Sequence, residues 1–249
     1  MSLTMSDAAG EKDVVVETLF PEIANLYGDH ANIRYLKLCM PEAEYVEDSL
    51  SGEPYFAAHK PDMIYMGPMT ERGQELIIEK LQPYRARIEE LIGEGVLFLI
   101  TGNAMEVFWD AIENEDGSRI EGLHIFHYTA RRDMFHRYNS AVMGKFEDMT
   151  LVGFKSQFTL SYGDNSKEFL YEVTKGDGLN REHKLEGVRR NRFMGTYTIG
   201  PILLLNPDFA LYIQRQLGAA KPHLVYERAM RDAYEERVRQ YESTEFVLL

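Results

Sequence analysis

The chain has a single cysteine, Cys39, among its 249 residues. That excludes an intrachain disulfide and suits a reducing compartment such as the cytosol. Long apolar runs are absent. Runs such as 96–100 and 202–205 fall far short of the ~18 residues that a membrane span needs, so none is expected. Positive charge is scarce: 27 Lys+Arg against 40 Asp+Glu leaves a net charge of −13. Such a field repels phosphate backbones and argues against nucleic acid as a partner. There is no internal repeat, low-complexity tract or signal-peptide pattern. What is present suffices for a large core: 45% of residues are hydrophobic, and a chain of this length needs no disulfide or metal to fold.

The first ~110 residues alternate between two patterns. The β-branched segment 14–20 reads as a strand. Tyr27-Gly28-Asp29 turns the chain, and Asp29 is placed to cap a helix over 30–40. Segments 44–48 and 62–66 read as further strands. A helical stretch over 70–92 is expected to be divided by Pro83. The unbroken apolar run 96–100 reads as a strand covered on both faces. This order predicts an α/β fold with a mostly parallel sheet flanked by helices. After Trp109 short strands are expected, at 124–129, 141–146, 151–160, 169–173 and 193–199, then helices over 207–216 and 222–241. The opening residues 1–13 read as a disordered or cloning-derived tail, 14–218 as the α/β domain, and 219–249 as a helical extension.

Ligands of open parallel sheets sit beyond the carboxyl ends of the strands. The best candidate site is therefore Thr101-Gly102-Asn103-Ala104-Met105, a strand–turn–helix elbow of the kind that carries nucleophiles in many α/β enzymes. A short structural connection reads equally from the same residues.

The elbow does not stand alone. Leu19-Phe20-Pro21-Glu22-Ile23-Ala24-Asn25-Leu26-Tyr27-Gly28-Asp29, Gly67-Pro68-Met69, Gly153-Phe154 and Gly195-Thr196-Tyr197-Thr198-Ile199-Gly200-Pro201 occur in an order that resembles the cobyric acid synthase-type glutamine amidotransferases. The branch that amidates lipid II resembles it most. The resemblance spans about residues 15–218. It implies a class I amidotransferase-like, flavodoxin-like three-layer fold without cofactor. It also implies glutamine hydrolysis by a Cys–His pair and ammonia delivery to a synthetase partner, such as a Mur-ligase-like subunit.

The sequence departs from that pattern where the chemistry lies. Thr101 stands at the family's nucleophile and Ile199 at its base. Pro68, which has no N–H, stands in the glycine-rich loop. Met105 replaces a glutamine, and Lys155-Ser156-Gln157 stands where a close branch has Glu-Asn-His. The expectation is a non-hydrolytic binding or regulatory subunit, with Gly67, Pro68, Met69, Thr101, Gly102, Asn103, Met105 and Gln157 around a ligand pocket. The alternative is an enzyme with altered nucleophile chemistry at Thr101. Elsewhere, Cys39 reads as a core residue and Asp29, Glu71 and Glu106 as caps or solvated side chains. His124, His127 and His136 do not read as a metal site, because the first two would point to opposite faces of a strand. Arg131, Arg132 and Arg137, and Arg189, Arg190 and Arg192, read as solvated charge or an anion site. The stripe Tyr226, Met230, Tyr234, Val238 and Tyr241 on the last helix either folds back on its own domain or docks a second copy or a partner.

Overall fold

The computed structural model describes residues 14–243. Strand β1 (Val15–Leu19), helix α1 (Ala31–Cys39), β2 (Glu44–Asp48), β3 (Met63–Met66), α2 (Glu71–Leu81), α3 (Arg85–Gly93) and β4 (Leu97–Thr101) follow the predicted alternation. A 3-10 turn, Gln82–Tyr84, separates α2 from α3 with Pro83 inside it, as the missing proline N–H requires. The short strands come next: β5 (Ala111–Glu113), β6 (Arg119–Glu121), β7 (Thr129–Arg132), β8 (Tyr138–Phe146), β9 (Met149–Gln157), β10 (Thr159–Tyr162), β11 (Tyr171–Lys175), β12 (Leu185–Glu186), β13 (Val188–Arg190) and β14 (Phe193–Thr196). Helices α4 (Ile202–Leu205), α5 (Pro207–Gln216) and α6 (Glu227–Glu242) close the chain.

The main sheet has six strands in the order β13-β14-β4-β3-β1-β2. All neighbours pair in parallel except β13, which is antiparallel to β14. This is an α/β fold. Strand β4 is buried along its whole length. Its side chains alternate between the two faces: Phe98 and Ile100 join the core under α2 and α3, while Leu97 and Leu99 join the one under α1, α4 and α5. Two further four-stranded sheets, β10-β7-β5-β6 and β12-β11-β8-β9, stand beside it.

Three expectations are corrected. Segment 124–128 forms no strand, and His124 has a left-handed backbone, φ +51°. The predicted strand 151–160 is divided between β9 and β10. The last helix begins at Glu227, after Tyr226 in a left-handed conformation, φ +59°, rather than at residue 222. Its stripe is covered by its own chain. Tyr234 Oη donates to Thr150 O at 2.8 Å, Tyr241 Oη donates to Gly153 O at 3.1 Å, and Met230 is buried against the main core. The helix folds back, so a homo-oligomer formed through that stripe has no support. Tyr226 is exposed and takes no part in it. The expected tail 1–13 lies outside the described residues.

One buried pair at the sheet edge titrates unusually. Glu17 on β1 is fully buried, and its Oε1 accepts from Phe56 N at 3.0 Å; Asp48 Oδ1 accepts from Tyr55 N at 3.1 Å. Burial first, and the neighbouring Asp48 carboxyl second, push the Glu17 pKa up to about 10 from an ordinary 4.5. The folded state then holds a proton that the unfolded chain releases. The stability that this proton contributes is complete below pH ~4.5 and declines as the pH rises toward ~10. Glu17→Gln mimics the protonated form and should remove this decline. Between pH 5 and 9 the melting midpoint of the wild type should fall more steeply than that of the variant, and parallel curves would refute the assignment.

Candidate functional site

A cavity of about 300 Å³ opens where several strands end. Leu26 and Tyr27 reach it from the loop after β1, and Pro68, Met69, Thr70 and Glu71 from the turn after β3. Gly102 and Asn103 come from the elbow after β4, Tyr197 and Ile199 from the segment after β14. Ser156, Gln157, Phe158 and Arg137 complete its wall. The parallel sheet thus brings together residues more than 170 positions apart, at the carboxyl ends of its strands, as such sheets do.

Of the predicted site residues, Pro68, Met69, Gly102, Asn103, Gln157 and Ile199 line this cavity, whereas Gly67, Thr101 and Met105 do not. Gly67 allows a close approach, for a Cβ there would lie 2.7 Å from Ala24 O. Met105 is core, fully buried under Gly195. Thr101 is the last extended residue of β4, and alternation turns it to the Leu97 and Leu99 face. There its Oγ1 donates a short hydrogen bond to Asp29 Oδ2, which also accepts from Tyr65 Oη at 2.6 Å. Asp29 is therefore not a helix cap: α1 has no side-chain cap. Buried completely, its carboxyl is pushed above the usual range by desolvation.

The elbow turns at Gly102, directly after the end of β4, as the sequence leads one to expect. Gly102 has φ +61°, a conformation that glycine adopts without strain. The helix that follows, Gly102–Phe108, is 3-10 rather than α. A Cβ on Gly102 would lie 2.5 Å from Pro68 Cβ and 3.4 Å from Ile199 Cγ2. A paired hydrogen bond imposes this closeness: Asn103 Nδ2 donates to Met69 O at 2.8 Å, and Met69 N donates to Asn103 Oδ1 at 3.0 Å. The same pair takes up the N–H of Met69. Pro68 has none, and that of Ile199 donates to Phe154 O at 2.9 Å.

Beneath the cavity lies a second buried network. Glu106, read from sequence as capping or solvated, is fully buried. Its carboxylate oxygens accept from Thr159 Oγ1, Tyr197 Oη at 2.7 Å and Gln74 Nε2 at 2.9 Å. Burial pushes its pKa up against these hydrogen bonds. Lys155 and Glu186 form a buried ion pair at 3.2 Å, and Glu186 also accepts from Tyr197 N and Thr196 Oγ1. Desolvation pulls the lysine down and Glu186 opposes it. No sequence pattern signalled either network, since their members lie on separate elements.

The histidines and most arginines are accounted for elsewhere. His124 Nδ1 and His127 Nδ1 each lie 3.3 Å from an oxygen of Asp110, so the two rings converge rather than diverge. His136 Nδ1 lies 2.8 Å from Asp133. Among the described residues no group of three His, Cys, Asp or Glu side chains is placed to hold a metal ion. Arg131 pairs with Glu113, buried Arg132 with Glu75, Arg189 with Glu147 and Arg190 with Glu168. Arg192 donates to backbone carbonyls. Arg137 differs. It stands at the cavity, 4.5 Å over the Phe158 ring, donates to Tyr27 Oη at 3.1 Å, and has no carboxylate partner among the described residues.

No family model matches the chain. It is 27% identical over 219 residues to the lipid II isoglutaminyl synthase (glutamine-hydrolyzing) subunit GatD of Streptococcus pneumoniae (strain ATCC BAA-255 / R6), covering 84% of this chain and 82% of the relative. The subunit of the same name from Staphylococcus aureus (strain N315) is 27% identical over 198 residues, covering 76% and 78%. The chain is a homologue of GatD. A crystal structure of a glutamine amidotransferase shares its fold with a TM-score of 0.53 at 11% identity, over 81% of this chain and 98% of the other. No helix among the described residues is long and apolar enough to cross a membrane.

The contact at Gly102 is testable. Gly102→Ala should cost about 1–3 kcal/mol, from the left-handed backbone and the overlap with Pro68. Pro68→Gly should relieve the overlap, so chemical denaturation of the four variants in a double-mutant cycle should return a coupling of about 0.5–3 kcal/mol. Additive losses would mean that the two residues do not collide.

Proposed function

We propose that this GatD homologue is a non-hydrolytic, glutamine amidotransferase-like subunit. It binds a small ligand and works with a ligase-type partner in cell-wall or cobyrinate-type amidation. The observation that carries this reading is the elbow. A nucleophile elbow holds its reactive side chain on the strained residue of the strand-to-helix turn. Here that residue is Gly102, with no side chain and no room for one beside Pro68. In this register the family's Cys-Gly-Gly-Tyr-Gln falls on Gly102, Asn103, Ala104, Met105 and Glu106, one residue later than the sequence alone suggested.

The other requirements for acyl transfer are unmet in the same place. A general base must accept a proton within hydrogen-bond reach of the nucleophile. The side chains nearest Gly102 are Pro68 and Ile199, and neither can accept a proton. An oxyanion needs free N–H donors, and Pro68 and Met69 have none to offer. The alternative, catalysis by Thr101, is disfavoured by its complete burial and its hydrogen bond to Asp29. The partner comes from the relatives' description as a subunit of a glutamine-hydrolyzing synthase. What the framework retains is a formed cavity with charged groups at its rim.

Ammonia release from glutamine tests this reading, with the purified chain alone and with any co-purified partner. The expected result is release no faster than from buffer, in the wild type and in Thr101→Ala alike. Turnover that disappears in Thr101→Ala would establish the altered-nucleophile enzyme instead.

A further inference from the structure

The cavity's own chemistry differs between its mouth and its floor. At the mouth stand one cation and one anion, Arg137 and Glu71, both on the cavity wall and neither ion-paired among the described residues. Arg137 has a direct reason to be there: its guanidinium stacks on Phe158 and leaves donors free after its contact with Tyr27. The planar fork of an arginine matches a carboxylate. Gln157 adds a second, independent sign of a missing ligand. It is 7% exposed, its Nε2 donates to Thr159 O at 2.7 Å, and its Oε1 is buried without a partner. An unpartnered buried acceptor is costly and asks for an N–H donor.

The floor is apolar. Pro68, Met69, Ile199 and the Tyr197 ring form it, around the bare Cα of Gly102. The N–H groups of Met69 and Ile199 are engaged elsewhere and Pro68 has none. A carboxamide carbonyl placed there would meet none of those donors, and a desolvated carbonyl without a donor is penalised. An aliphatic group of similar size is favoured by burial instead.

We propose that this cavity binds a free α-amino acid with an aliphatic side chain. Arg137 takes its carboxylate, Glu71 and Gln157 Oε1 its ammonium, and Pro68 and Ile199 its tail. The inference rests on the non-hydrolytic reading and names the ligand class that goes with it. The same residues that remove glutaminase chemistry also change what the cavity prefers.

Calorimetric titration of the full-length protein, together with melting midpoints, tests it with L-leucine as the probe. Leucine should bind saturably and raise the midpoint, with L-glutamine and L-alanine each at least tenfold weaker. N-acetyl-L-leucine keeps the carboxylate and tail but loses the ammonium, and should also weaken at least tenfold. Arg137→Gln should lower leucine affinity at least tenfold while leaving the midpoint of the unliganded protein unchanged, because that side chain is exposed. Glutamine binding as tightly as leucine would overturn the assignment, as would no saturation by leucine at millimolar concentration. N-acetyl-leucine binding as well as leucine would overturn it in favour of a peptide C-terminus. None of these outcomes depends on ammonia release, so failure here is separable from failure of the non-hydrolytic reading.

Discussion

The two hydrogen bonds between the Asn103 amide and the Met69 backbone tie the turn after β3 to the elbow after β4. The spacing they impose determines the rest of the site. Pro68 is held against the Cα of Gly102, so residue 102 cannot carry a side chain without moving the turn. The same bonds take up a backbone N–H that an oxyanion would need. On the proposed reading, the missing nucleophile, the engaged N–H and the apolar floor are one arrangement, produced where two adjacent parallel strands release their chains side by side.

Buried polar networks hold this arrangement from below. Thr101, Tyr65 and Asp29 link β4, β3 and the start of α1 on one face of the sheet. Glu106, Tyr197, Thr159 and Gln74 link the elbow helix to the segment after β14, to the start of β10 and to α2 on the other. Lys155 and Glu186 fasten the backbone at Thr196 and Tyr197. Such networks rigidify a core when their members are satisfied. They hold the framework around the elbow, where Gly102, Pro68 and Ile199 lie against one another. The carboxyl groups of Asp29 and Glu106 do not line the cavity, and Tyr197 is the member that reaches it.

Much of this was legible in the sequence. The apolar runs of β3 and β4 and the stop at Pro83 carry local signals that the tertiary structure reinforces. So does the strand–turn–helix form of the elbow. The turn at Gly102 was legible as well. The family resemblance set Thr101 at the nucleophile position, and Gly102 is the residue whose backbone takes a left-handed conformation. Asp29 could not be placed from its neighbours. A polar residue before a helix resembles a cap, and its burial is determined by Tyr65 and Thr101, 36 and 72 positions away. The stripe on α6 showed that a face is covered, and only the position of β8 and β9 says by what. His124 and His127 escaped a period-two reading because the chain leaves the extended conformation at His124.

The central proposal is that the elbow presents no nucleophile to this cavity. Intact mass spectrometry after incubation with an electrophilic glutamine analogue, one that alkylates the nucleophile of an active glutaminase, tests it most directly. An unmodified chain is the expected result, under conditions in which an active amidotransferase is labelled to completion. A single adduct mapped to Thr101, or to any residue lining the cavity, would contradict it.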